Sequence, residues 1–217
     1  REYDAPRLRQ SVEATSVLTQ VHTAAGDPPF AQRAKEQIHA WFIDSETRMN
    51  PHLTFAQMMP GWAAGGRQGI IEGLPLVRKL PGALAALDAA RALTDTERRA
   101  CREWLGSYLA WLLRSRPGRA GRNRSNNHGT WYVVQVAGIA TALGLDDLTR
   151  ETLGNSRQRM ETHFLADGPQ PEELRRSNSL SCSLDNLDAW LHVARLGNRH
   201  GIDIWTHRNP LASGAAT

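Results

Sequence analysis

The stretch TDTERRACREWLGSYLAWLLR, residues 94–114, decides the fold class. Thr94-Asp95-Thr96-Glu97 is a capping box: the threonine side chain accepts from the N–H three residues on, and the glutamate reaches back to the cap N–H. Cys101, Trp104, Leu105, Tyr108, Leu109 and Leu112 then recur three and four residues apart, on one side of a helix. The same period continues outward. A weakly amphipathic helix is predicted over 9–24. Another spans 29–43, carrying Ala34, Ile38, Trp41 and Phe42 at helical spacing, and further ones span 67–79 and the Ala-rich 82–92. Residues 44–66 read as irregular, broken by Pro51, Pro60 and Gly65-Gly66.

Beyond Arg114, the basic, Gly- and Arg-rich residues 115–126 read as a loop. An apolar helix over 128–143 follows, then an amphipathic one over 146–165. The last helix covers 179–197, with Gly197 as its C-terminal stop. No strand pattern and no repeat stands out. Successive helices with short links imply an all-α chain of antiparallel helical hairpins, built as a bundle or an α/α toroid (an incomplete barrel). Residues 1–206 read as a single helical domain and 207–217 as a frayed C-terminal tail.

A chain of 217 residues can bury a sizeable core, and 41% hydrophobic with 22% charged residues is globular rather than disordered composition. No apolar run approaches the roughly 20 residues that span a bilayer, so no membrane partner is expected. Residues 1–10, with Arg1, Glu2, Asp4, Arg7 and Arg9, do not read as a signal peptide. A mature secreted chain would read the same way. Net charge +4 favours an anionic partner. Nearly all the cations are arginine, with Lys35 and Lys79 the only lysines. Genomic base composition explains that bias, and so does bidentate carboxylate recognition. The arginines are scattered and no nucleic-acid recognition motif occurs, so a nucleic-acid partner is not expected. Cys101 and Cys182 match no zinc or redox spacing. Two free buried thiols are the favoured reading over a disulfide. No histidine pair has zinc-ligand spacing, and neither a nucleophile elbow nor a phosphate-binding loop is present.

Ser125-Asn126-Asn127-His128-Gly129-Thr130-Trp131-Tyr132 concentrates the chemistry. Amides at a helix start can donate to a carboxylate in the positive potential of the helix N-terminus, and the adjoining imidazole can act as a base. The alternative for His128 is a packed or capping residue. Downstream, Gln170, Arg175 and Arg176 form a second polar cluster. Its arginines either bind a carboxylate or pair with Glu172 and Glu173. Thr47-Arg48-Met49-Asn50-Pro51-His52 with Gln57 is a third polar stretch, and Arg67 sits in a glycine-rich loop ahead of a helix. Trp41, Trp104, Trp111 and Trp190 read as core. Trp62 and Trp131, in or beside loops, are the candidates for stacking on a sugar.

Residues 125–135, Ser-Asn-Asn-His-Gly-Thr-Trp-Tyr-Val-Val-Gln, resemble the Asn-Asn-His signature of the alginate lyase superfamily. Supporting stretches run in order: Trp41-Phe42-Ile43-Asp44 with Thr47 to Pro51, Ala56-Gln57, Pro60-Gly61, Gly66 to Glu72, Asp167 to Arg176, and Gly201 to Trp205. The resemblance implies an α/α toroid and β-elimination on alginate or a similar polyuronate, by a periplasmic or secreted bacterial monomer that needs no metal or cofactor. It assigns Asn127 and Arg176 to neutralising the substrate carboxylate, and His128 to acting as base or helping to neutralise. Asn126, Gln57, Arg67, Trp131, Tyr132, Gln170 and Arg175 become substrate-binding candidates. The tyrosine that family members carry six residues after the arginine is Cys182 here, and the aspartate usual after Trp-Tyr is Val133. Tyr132 or Tyr108 could supply the missing phenol. A catalytically impaired, carbohydrate-binding relative is the alternative function.

Overall fold

A computed structural model describes residues 4–56, 69–165 and 167–207. All its regular structure is helical among those residues. Two compact units appear, Arg1–Pro117 and Gly118–Thr217.

The first unit holds α1 (Asp4–Ala25), α2 (Pro28–Ile38), α3 (Leu74–Arg78), α4 (Leu80–Ala89) and α5 (Asp95–Arg114). Helix α1 buries a stripe of small and hydroxyl residues with Leu8 and Val12, which accounts for its weak amphipathicity. Its threonines need no outside partner. Thr15 donates to the Ser11 carbonyl at 2.8 Å, and Thr19 to the Thr15 carbonyl at 2.7 Å. That lets α1 pack on α2 and α4, with Ser11 Oγ donating to Gln37 Oε1 at 2.8 Å. Pro28 opens α2 at a position where its missing N–H costs nothing. One turn of π-helix, His39–Ile43, continues the chain beyond it.

The capping box predicted at Thr94 is present: Thr94 accepts from the Glu97 N–H, and Glu97 accepts from the Thr94 N–H at 2.7 Å. Glu97 also takes His39 Nε2 at 2.7 Å and Lys35 Nζ at 3.1 Å, tying the start of α5 to α2 and the π-turn. Burial alone would raise this carboxyl. The Thr94 N–H and hydroxyl, His39 and Lys35 outweigh burial and hold it down at about 2. The buried side of α5 is the predicted stripe, Cys101 through Leu112. Trp104 packs edge-on against Phe42, with centroids 4.8 Å apart, and stacks on Tyr108 at 5.7 Å. Tyr108 is wholly buried, and that burial raises its hydroxyl pKa well above 10. The expectation that Tyr108 could stand in for the missing phenol thus finds no exposed hydroxyl here. Trp41 and Trp111 are half-buried rather than core, while Trp104 and Trp190 are core as expected. The helix expected over 67–79 is a 3₁₀ turn, Ile70–Gly73, followed by α3. Gln57, Trp62 and Arg67 lie outside the described residues, as does the tail from 208 on.

The second unit holds α6 (Arg116–Arg122) from Gly118 on, with α7 (Asn127–Leu143), α8 (Asp146–His163), α9 (Pro171–Leu174) and α10 (Ser179–Arg199). Helix α7 is apolar nearly all round because α8 and α10 both pack on it. Its polar Thr130 is fully buried and donates to Asn186 Oδ1 of α10 at 2.7 Å. His163 Nδ1 of α8 lies 3.3 Å from the same hydroxyl. Burial and Arg159 push His163 down to about 4, so this tie stays uncharged at neutral pH.

Two expectations fail here for non-local reasons. Residues 116–122 are helical rather than a loop. Arg159 of α8 donates to the Arg124 carbonyl at 2.6 Å and to the Arg122 carbonyl at 2.5 Å, fastening the end of this short helix. A β-carbon on Gly129 would fall 2.1 Å from the Arg124 oxygen and 2.4 Å from Arg159 Nη1, so only glycine lets that carbonyl pass the first turn of α7. Likewise Gly197 does not stop α10, which runs on to Arg199. A β-carbon there would meet the Ile202 carbonyl at 2.5 Å. The residue is small because the returning chain lies on it.

Three variants check this account. Thr94→Ala should lower the unfolding free energy by about 1 kcal/mol in denaturant titration at pH 7. Glu97 is held below its unfolded value near 4.5, so its contribution is present above that value and lost as pH falls through about 2. Glu97→Gln should therefore destabilise at pH 7 and matter little at pH 2. Gly129→Ala should destabilise by about 1–3 kcal/mol in the same titration, because the atoms it meets are backbone and a pinned guanidinium.

A candidate active site at the start of helix α7

Asn126 caps α7 in an extended conformation, its side chain accepting from the His128 N–H at 3.3 Å. With the cap occupied, Asn127 and His128 stand at the first two helical positions, in the positive potential of the helix N-terminus. Asn127 is only 6% exposed and is gripped from two sides. Its backbone N–H donates a short hydrogen bond to Glu173 Oε1, at the end of α9. Its Nδ2 donates to Asp185 Oδ2 of α10 at 2.7 Å, and the same oxygen takes the Trp131 indole N–H at 2.9 Å.

His128 is half-buried, and its ring nitrogens make no hydrogen bond among the described residues. Burial lowers its pKa, Arg176 and Arg124 lower it further, and Asp185 opposes them. The imidazole is thus neutral at pH 7 and able to accept a proton. Arg176 is exposed, forms no ion pair among the described residues, and sits close enough to act on both His128 and Glu173. Arg175 takes the plainer of its two readings, pairing with Glu172 at 2.6 Å.

Other expected site residues land elsewhere. Trp131 is fully buried, so its ring offers no face to a sugar and serves instead to hold Asp185. Gln170 spends both ends of its amide within the protein: Nε2 donates to the Ser183 carbonyl at 3.2 Å, and Oε1 accepts from Asn186 Nδ2 at 2.8 Å. It fastens the 167–174 segment to α10 instead of facing a substrate. Tyr132 lies one helical turn beyond His128 on the same side, 4% exposed. Burial raises its pKa, against the pull of Arg122 and Arg159. Both cysteines are free, Cys101 buried but Cys182 half-buried, one helical turn before Asp185. Gln57 and Arg67 remain outside the described residues.

The third polar stretch lines a cavity of about 750 Å³ in the first unit, with Trp41, Arg48, Asn50, His52 and Phe55 among its walls. Its irregular backbone is fixed in place. Trp104 Nε1 donates to the Met49 carbonyl at 2.9 Å, the Met49 N–H to the Trp41 carbonyl at 3.0 Å, and Thr47 Oγ1 to the Ala40 carbonyl at 2.8 Å. Among the described residues no group of three His, Cys, Asp or Glu side chains is placed to hold a metal ion.

Sequence reasoning missed Glu173 and Asp185. Glu173 is 1% exposed. Beside two arginines it reads as an ion-pair partner, and only the fold shows it turned inward under α7. Asp185 sits in an ordinary helical stretch with no motif to flag it.

Residues 2–215 match the family described as alginate lyase. A crystal structure of an alginate lyase from Bacteroides ovatus superimposes with a TM-score of 0.88 at 28% identity, over 94% of this chain and 54% of that one. This chain thus spans about half the length of that enzyme. No curated protein matches it. The expected all-α, α/α toroid class stands on the structural likeness. With nearly its whole length matched, the chain belongs to the alginate lyase family.

Proposed function

We propose that this chain is a polysaccharide lyase cleaving alginate or a similar polyuronate by β-elimination. The observation that carries the reading is the convergence at the start of α7: a rigidly held amide, an unpaired arginine and a neutral imidazole. The C5 proton of a uronate is weakly acidic until its carboxylate is neutralised, which stabilises the enolate-like intermediate. Arg176 suits that carboxylate through a bidentate contact. Asn127 adds the Nδ2 hydrogen that Asp185 does not use. His128 then takes the C5 proton. The C4–O4 bond breaks as the C4–C5 double bond forms, and the leaving O4 takes a proton from an acid. Cys182 stands at the position of the family's usual acid, and Tyr132 is the nearest phenol along α7. A polysaccharide substrate is met outside the cytoplasm, which favours a periplasmic or secreted protein.

The test is ultraviolet absorbance of the unsaturated product from mannuronate-rich and guluronate-rich alginate. His128→Ala should lower the rate by about 10²–10⁴-fold. The reaction needs the neutral imidazole, so activity should persist below pH 6.5 and fall as pH drops through the lowered pKa. Cys182→Tyr should raise the rate by restoring an oxygen acid. Polymer binding without product in both the native chain and Cys182→Tyr would instead identify a carbohydrate-binding relative.

A further inference from the structure

The floor of the site is one donor short. Asp185 Oδ2 has two donors, Asn127 Nδ2 and Trp131 Nε1. Glu173 has one, the Asn127 peptide N–H on Oε1. Its other oxygen, Oε2, is buried and unpartnered, and so is Asn127 Oδ1. The amide cannot simply be turned over, because its nitrogen is committed to Asp185. Two acceptors thus lie buried on a pair of residues already joined by a short hydrogen bond. An ionised Glu173 would leave a charged oxygen dry and would add a second anion beside Asp185, in a place meant to receive a third. A protonated carboxyl removes both problems, since its hydroxyl is a donor.

We propose that Glu173 is a positioning residue acting as a neutral carboxylic acid: Oε1 holds the Asn127 peptide N–H, the Oε2 proton closes on Asn127 Oδ1, and the remaining amide hydrogen is thereby aimed at the uronate carboxylate. The inference rests on the lyase reading for the last clause only. The charged and titratable groups acting on Glu173 are Glu172 on α9, Arg176 after it and Asp185 on α10, and Arg176 and Asp185 act on His128 of α7 as well. Burial drives the carboxyl pKa up. The Asn127 N–H and Arg176 pull it down, and Asp185 and Glu172 push it up again, with a net rise. Neutral Glu173 leaves the floor with one cation, Arg176, and one anion, Asp185, so an arriving carboxylate makes the second anion and not the third.

Infrared difference spectra of the native chain minus Glu173→Gln at pH 7 should show a carboxylic-acid C=O band that the variant lacks. No band would mean an ionised carboxylate served by water, and would overturn the inference. In the lyase assay, Glu173→Ala should lose about 10²–10³-fold in kcat. Glu173→Gln carries an oxygen and an N–H donor in the same places and should rescue most of that loss. Its rate should also escape the alkaline decline that the native chain shows as Glu173 ionises. A glutamine variant as poor as the alanine variant would overturn the role. The infrared measurement needs no substrate, so the two readings fail separately. A band without product from the native chain or Cys182→Tyr sinks the lyase reading and confirms the proton. Product without a band sinks only this inference.

Discussion

The second unit is organised around the peptide N–H of Asn127. A helix start leaves its first N–H groups without intrahelical partners. Here the cap takes one, and a buried carboxyl from α9 takes another. That contact fixes where the 167–176 segment lies, because Glu173 cannot reach Asn127 unless α9 runs under the end of α7. Once it does, Gln170 is brought against Ser183 and Asn186 of α10, and Arg176 comes into the field of His128. Replacing this N–H acceptor with an apolar group would leave a buried donor unsatisfied, and would free the segment that carries the arginine.

The opposite side of the same helix turn is held by a cation instead. Arg159 reaches from α8 to two carbonyls at the end of α6, and Gly129 supplies the space for the contact. The Asn-Asn-His-Gly run is therefore clamped between a carboxyl on one side and a guanidinium on the other. Rigidity of this kind is what a site for proton abstraction requires, since small displacements of a base or an anion-holding donor cost rate steeply. It also explains why the exposed arginines of the 116–124 segment ride on a short helix instead of a loose loop.

Much of this was legible in the sequence where the signal is local. The capping box at Thr94 and the stripe from Cys101 to Leu112 follow from spacing alone, and both stand in the structure. The start of α7 was readable for the same reason, from an asparagine cap ahead of an apolar run. What failed depends on partners far along the chain. The Gly-Arg-rich residues 116–122 look like a loop until a guanidinium 35 or more positions away binds the carbonyls of Arg122 and Arg124. Trp131 looks like a sugar platform beside a loop until α8 and α10 close over it. Glu173 looks like a salt-bridge partner for its arginine neighbours. Its true partner is a peptide N–H 46 residues away, and no sequence pattern specifies that.

The charge pattern of the site bears on why the departure at Cys182 is tolerated by the fold. A half-buried thiol on α10 needs no partner, whereas Asp185, one helical turn along, accepts two hydrogen bonds that hold Asn127 and Trp131. The residues that bind and position thus form one connected network, from Asp185 through Asn127 to Glu173. The residue at the usual acid position stands outside that network. A change at 182 alters, on the proposed reading, which group protonates the leaving oxygen, while the hydrogen bonds that hold Asn127 stay as they are. On the proposed reading, the two halves of the elimination are structurally separable. The carboxylate-holding and base half is built into the packing of α7, α9 and α10, and the acid half rests on a half-buried side chain outside that hydrogen-bond network.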